Sequence, residues 1–368
     1  MKMKRLVYSI IISMSFILLL GCEKTATNLK TGQEKISQAA PSVSQEKPKD
    51  TKENIPSHSI KDYYPFNENY KYEYEGKGNE YVPYTAWVDY IKNNRLQLRK
   101  NNGGTESANV IEYKDGELKL IFSKEEAYYR EDFTSKPSNR NETLLKEPLI
   151  EGTTWLLPDG RKRYISNLAA EISVPAGNFK ALEVITEGKG YKEFDYYSLN
   201  IGLIKSLYSA EGMEVTTSLK TAKANSPLTQ NIKFYYPNIN NDKIYFVERQ
   251  LTFKTNDITR LALEKHLKEV PHSTVGRLLG PNVKINSLYL NNEVVYVDFS
   301  KELVTEMNAG SGYEAMILQS LANTFGDYYK VSKVYITIEN NPYESGHVIM
   351  KKGETFTVNL KDTVKLNK

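Results

Sequence analysis

The sequence predicts an α+β protein: an N-terminal all-β antiparallel domain, then a ββαββαββ sandwich with helices on one face of a mixed or antiparallel sheet. Three observations carry that expectation. Between Tyr63 and Leu219, short strand-like stretches alternate with turn dipeptides, and no helical periodicity outlasts two turns. A polar break from Thr221 to Gln230 ends that rhythm. Beyond it, two stretches with apolar residues every three or four positions are set between pairs of strands.

At the start of the chain, Lys2, Lys4 and Arg5 precede Leu6 to Leu20, a run without a charge. These are the basic and apolar regions of a secretory signal. As a helix the run spans roughly 22 Å, short of the roughly 30 Å of a bilayer core. It ends in Leu19-Leu20-Gly21-Cys22, which resembles the lipobox of bacterial lipoproteins. The resemblance implies cleavage before Cys22, acylation of its sulfur, and lipid anchoring to the cell membrane on the extracytoplasmic face. Cys22 is the only cysteine, which leaves no disulfide. Residues 1–21 are therefore expected as a signal peptide, and residues 22–59 as the lipidated cysteine and a flexible tether. From Glu23 to Ser59 there is no aromatic residue, and such a stretch cannot bury enough apolar area to offset its ordering entropy. The chain carries 49 Lys and Arg against 45 Asp and Glu, a net +4. Removing the three leader cations leaves 4 − 3 = +1, no electrostatic footprint for nucleic acid.

Residues 60–225 read as the antiparallel β-rich domain. Tyr70, Tyr72 and Tyr74 alternate with Lys71, Glu73 and Glu75, the pattern of a half-buried strand. Asp115-Gly116 and Asp159-Gly160 are hairpin signals between apolar runs. Tyrosine is heavily used, with 27 in the chain. Tyrosine stripes suit glycan or small-ligand binding, but aromatic residues are also good strand formers. Two segments, Val174 to Lys180 and Tyr196 to Lys205, resemble a pattern recurring in secreted β-rich lipoprotein domains of bacteria. That resemblance implies a fold and no chemistry.

Residues 231–360 form the α+β part. Strands are expected at Ile232 to Tyr236 and Ile244 to Phe253, followed by a helix from Asp257 to Val270. A hairpin across Asn291-Asn292 joins strands at Val283 to Leu290 and Val294 to Phe299. The second helix runs from Gly312 to Phe325, with Gly326 as its stop signal. Strands at Val331 to Glu339 and His347 to Met350 complete the order. In the second helix Ala315, Leu318, Leu321, Ala322 and Phe325 make one apolar stripe. In the first, Leu263, Leu267 and Val270 form the core side, while Ile258 and Ala262 lie roughly opposite and are candidates for partner binding.

This order of segments, with Lys233-Phe234-Tyr235-Tyr236, Val297-Asp298-Phe299-Ser300 and Val334-Tyr335-Ile336-Thr337, resembles the GerMN domain of sporulation and spore germination in Gram-positive bacteria. Val270-Pro271 departs from the Gly-Pro common there. The resemblance implies a ring-building type of fold used for contacts between proteins, in envelope-spanning assemblies and spore lipoproteins, and no catalytic residues. The expected partners are the membrane, through the anchor, and other envelope proteins or further copies of the chain. The alternative is a binding module for cell-wall glycan or a small ligand through the Tyr-rich β domain.

Candidate chemistry has structural explanations. Asp298 and Ser300 fit a turn or cap. Ser311 with Glu314 has the spacing of a capping box. His266 and His272 lack companions at metal-ligand spacing, and His347 stands alone. Gly76-Lys77-Gly78 and Gly188-Lys189-Gly190 sit between strands rather than opening helices, so they are loops and not phosphate cradles. No catalytic residue, metal site or cofactor is expected.

Overall fold

The computed structural model describes residues 58–238 and 240–366; Cys22 and the predicted signal and tether fall almost entirely outside that range. After a single helical turn, α1 (Ile60–Tyr63), come β1 (Lys71–Lys77), β2 (Tyr84–Lys92), β3 (Arg95–Asn101), β4 (Glu106–Lys114), β5 (Glu117–Glu125) and β6 (Glu142–Lys146). They are followed by β7 (Thr154–Leu156), β8 (Lys162–Val174), β9 (Gly177–Gly188), β10 (Tyr191–Ser198), β11 (Gly202–Ala210) and β12 (Met213–Lys223). All twelve form one antiparallel sheet in the order β6-β5-β4-β3-β2-β1-β12-β11-β10-β9-β8-β7. Its two end strands meet through side chains. The Trp155 indole N–H donates to the Thr143 carbonyl at 3.0 Å, and Arg163 donates to the same carbonyl at 2.9 Å and to Glu142 at 2.9 Å. The sheet is thus a near-barrel with its edges stapled.

The hairpin signals hold. Asp115 and Gly116 both take positive φ between β4 and β5, the backbone that a tight two-residue hairpin requires. Inside the near-barrel, Tyr72, Ala86, Leu98, Ile165, Leu182 and Ile204 share one apolar cluster. The opposite face of β4 serves a different core: Ala108 and Val110 point outward, whereas Ile111 and Tyr113 point inward, the ordinary alternation of a strand that is apolar on both faces.

The outward residues pack against the C-terminal part. There, β13 (Leu228–Pro237), β14 (Ile244–Phe253), α2 (Thr259–Leu267), β15 (Ile285–Asn291), β16 (Val294–Phe299), α3 (Glu302–Thr305), α4 (Ser311–Tyr329) and β17 (Lys333–Ile338) are the main elements. Three two-residue strands follow: β18 (Asn341–Pro342), β19 (Phe356–Thr357) and β20 (Val364–Lys365). The expected single sheet is instead two, β13-β14-β20 and β15-β16-β17-β18, with β19 joining β17. The long helix α4 packs against β13 of one and β16 and β17 of the other. It is therefore a central helix, buried on more than one side. Its buried set includes Ser320, Asn323 and Thr324 as well as Ile317, Leu318, Leu321 and Phe325. Two of those polar residues bind neighbouring segments. Thr324 Oγ1 accepts the Tyr235 N–H of β13 at 3.0 Å, and Asn323 exchanges bonds of 2.7 and 2.8 Å with the backbone of Asn359.

Four local expectations are corrected. Gly326 does not stop α4; the helix runs on to Tyr329 and closes with Lys330 in the left-handed region. Gly326 is small because a Cβ there would lie 2.1 Å from a methyl of Val358. Helix α2 is shorter than its periodicity, ending at Leu267, so Val270 leaves the buried stripe and is 43% exposed. The hairpin turn is Asn292-Glu293, both at positive φ, one residue beyond the predicted pair. His347 lies in a bend rather than a strand.

Candidate functional site

Two sites deserve description by their geometry. The first surrounds Glu314, in the first turn of α4 and only 3% exposed. Its carboxylate accepts the Tyr343 hydroxyl at 2.8 Å, the Ser345 hydroxyl at 2.5 Å and Nδ1 of His347 at 2.8 Å. Burial pushes its pKa up, but the bonds from Ser345, His347 and Tyr343 outweigh burial and hold it below the usual carboxylate range. The capping-box reading of Ser311 and Glu314 is corrected here. The N-cap is Gly310 without a side-chain cap bond, and the Glu314 side chain turns to the 343–347 loop instead. An open cleft of about 600 Å³ borders the cluster, lined also by Met307, Gly310 and Gly346. Chemically the arrangement is a tie. The Ser345 Oγ donates to the carboxylate and accepts the N–H groups of His347 and Val348 at 3.1 and 3.0 Å. The imidazole faces the carboxylate through Nδ1, so serine and histidine both address Glu314 and not each other, unlike a nucleophile and its base.

The second site lies where the near-barrel meets α2 and β15. Its floor is set by Arg130, buried on the loop after β5. The guanidinium stacks 4.1 Å from the ring centroid of Tyr90 and donates to the Tyr90 hydroxyl at 2.7 Å, the Asp89 carbonyl at 2.7 Å and the Lys254 carbonyl at 3.1 Å. It also donates to the Asp257 carbonyl. Arg99 performs the matching task from β3, with Nε 3.1 Å from Asp89 Oδ2 and Nη2 donating to the Tyr129 carbonyl at 2.7 Å. These two cations fix the 127–133 loop and the start of α2 on the near-barrel wall. Above them opens a groove of about 380 Å³, walled by Ile258, Leu288 and Tyr289 with Arg260, Glu131 and Lys136 around it.

Of the sequence candidates, Ile258 is the N-cap of α2, 51% exposed, and lines this groove. Ala262 is half-buried against the core, while Leu261 beside it is exposed. Asp298 is buried and accepts Thr337 Oγ1 at 2.6 Å, the Asn340 N–H at 2.6 Å and Asn286 Nδ2 at 2.9 Å. Ser300 accepts the Lys284 N–H at 3.0 Å. Burial, with Arg249 and Lys265 nearby, pushes the His266 pKa down, and His272 contacts Thr274. Many tyrosines of the β domain, among them Tyr72, Tyr196 and Tyr197, are buried in its interior. The groove was missed in the sequence because Arg130 meets partners 40 to 198 positions away. The only local signal was the unpaired apolar residue Ile258.

Residues 233–344 match the family model described as sporulation and spore germination. Among solved structures, the chain is similar to the tandem GerMN domains of the sporulation protein GerM from Bacillus subtilis, with 16% identity and a TM-score of 0.27, over 37% of this chain and 47% of that one. It is also similar to the first GerMN domain of the same protein, with 19% identity and a TM-score of 0.25, over 37% of this chain and 96% of that one. The chain thus spans about half the length of the tandem-domain structure. No curated protein matches it.

Proposed function

We propose that this chain is a membrane-anchored envelope lipoprotein that works by protein–protein contact, without catalysis, in sporulation or spore germination. The observation that carries this reading is the match of residues 233–344 to the sporulation and spore germination family. The chemistry of the sites supports it: Ser345 and His347 are both taken up by Glu314, and the junction groove offers an exposed Ile258 and Tyr289 beside Arg260, which has no carboxylate partner among the described residues. The anchor is Cys22 and the contact surface includes Ile258. The test replaces the chromosomal gene with a Cys22→Ala variant. The expected result is loss of the protein from the detergent phase together with a sporulation or germination defect. A variant that stays membrane-bound contradicts the anchor, and a released variant with full spore yield and germination contradicts the role.

A further inference from the structure

The groove at the junction has one wall made of backbone. Among the described residues strand β15 pairs only with β16, and Asn291↔Val294 flank the two-residue turn, so Asn291, Tyr289 and Ser287 direct their N–H and C=O groups to β16. Leu288 and Leu290 direct theirs to the open side. The Leu290 N–H is taken by Glu131 at 3.2 Å, and near the start of the strand the Ile285 N–H is taken by Glu264 at 2.8 Å and its carbonyl by Arg260 at 2.7 Å. Between these two covered ends, the N–H and C=O of Leu288 find no partner among the described residues. The uncovered stretch from Asn286 to Tyr289 is about three residue steps long, roughly 10 Å.

The side chains around that edge select what can lie on it. Ile258, 51% exposed, and Tyr289, 40% exposed, offer apolar surface. The acidic groups are already compensated: Glu131 by Lys136 at 3.4 Å and Asp132 by Lys92 at 2.6 Å. Among the described residues Arg260 has no carboxylate partner, its guanidinium reaching only the Ile285 carbonyl. The groove is therefore left with one uncompensated positive charge beside an apolar wall and an unpaired strand edge.

We infer that this edge receives a short extended peptide segment of a partner protein by strand addition, with an aliphatic side chain against Ile258 and Tyr289 and an acidic side chain on Arg260. The inference rests on the protein–protein reading and specifies how the partner is held. Backbone pairing to Leu288 supplies direction, and the apolar and acidic side chains supply selectivity.

The test uses the full chain and a peptide labelled at its N-terminus, carboxyfluorescein-Gly-Thr-Val-Ile-Glu-Thr-amide, alongside the same peptide N-methylated at its Ile. N-methylation removes the strand-pairing N–H and keeps the side chains. Fluorescence anisotropy should show saturable binding of the plain peptide and at least a tenfold weaker affinity for the methylated one. Ile258→Glu and Arg260→Glu should each weaken binding at least tenfold while the melting temperature stays near that of the parent. Equal binding of both peptides overturns strand addition and leaves side-chain contact at the groove standing. No binding of the plain peptide up to millimolar concentration also overturns it, without bearing on contacts elsewhere on the molecule.

Discussion

Arg130 and Glu314 show how single residues acquire their roles from distant parts of the chain. Arg130 is fully enclosed, joined to Tyr90, Asp89, Lys254 and Asp257, with its Nε 3.5 Å from Asp89 Oδ1. Replacing it with alanine leaves Asp89 without one of its two cations and frees three carbonyls. A loss of about 3–5 kcal/mol is expected, read from chemical denaturation of Arg130→Ala. Glu314 makes a pH prediction. Its folded pKa is depressed, so its contribution to stability is present above the unfolded value of about 4.3 and is lost as pH falls through the folded one. Glu314→Gln should flatten the stability curve between about pH 5 and pH 3, and parallel curves for parent and variant would contradict the assignment. Neither role was legible locally. Ser311 and Glu314 have capping-box spacing, yet partners 29 to 33 residues away compete for the same carboxylate and take it. Cys22 is the opposite case, since its reading needs only the residues immediately before it.

Among elements, the short hairpins were the most legible, because a two-residue turn with positive φ leaves Asp-Gly or Asn-rich sequence as a local trace. Helix α4 was found but its setting was not. Periodicity reports one apolar stripe, whereas Asn323 and Thr324 are buried through hydrogen bonds, which hydropathy cannot register. In the sequence Gly326 reads as punctuation, whereas its use is closeness to Val358. Gly326→Ala should therefore destabilise by about 1–3 kcal/mol despite alanine's better helix propensity. An unchanged or raised melting temperature would show that Val358 gives way. In α2, Leu267 is fully buried and Val270 exposed. Leu267→Glu should unfold the protein or cost several kcal/mol, while Val270→Glu should change stability by less than about 0.5 kcal/mol. Equal losses would extend the helix to its predicted end.

Across the whole molecule, the two rhythms of the sequence meet in one apolar cluster. Ala108, Val110, Tyr129 and Phe133 from the near-barrel side pack in the same cluster as Phe234, Phe253, Leu263 and Phe325. The change of rhythm near Gln230 was visible because strand and helix periods differ, but the outward face of β4 was not, since alternation separates Ala108 and Val110 from Ile111 without saying that a second core covers them. The shared cluster also creates the groove, because Arg130 can hold the start of α2, and Glu131 can reach β15, only when both parts are present. The groove should therefore be where a partner makes contact. A photo-crosslinking amino acid placed at position 258 in the full chain, in cells entering sporulation, tests this, with the same label at exposed Met213, the first residue of β12, as reference. A discrete adduct with one envelope protein is expected from position 258 and none of that adduct from position 213. No adduct at 258, or the same pattern from both positions, would contradict it.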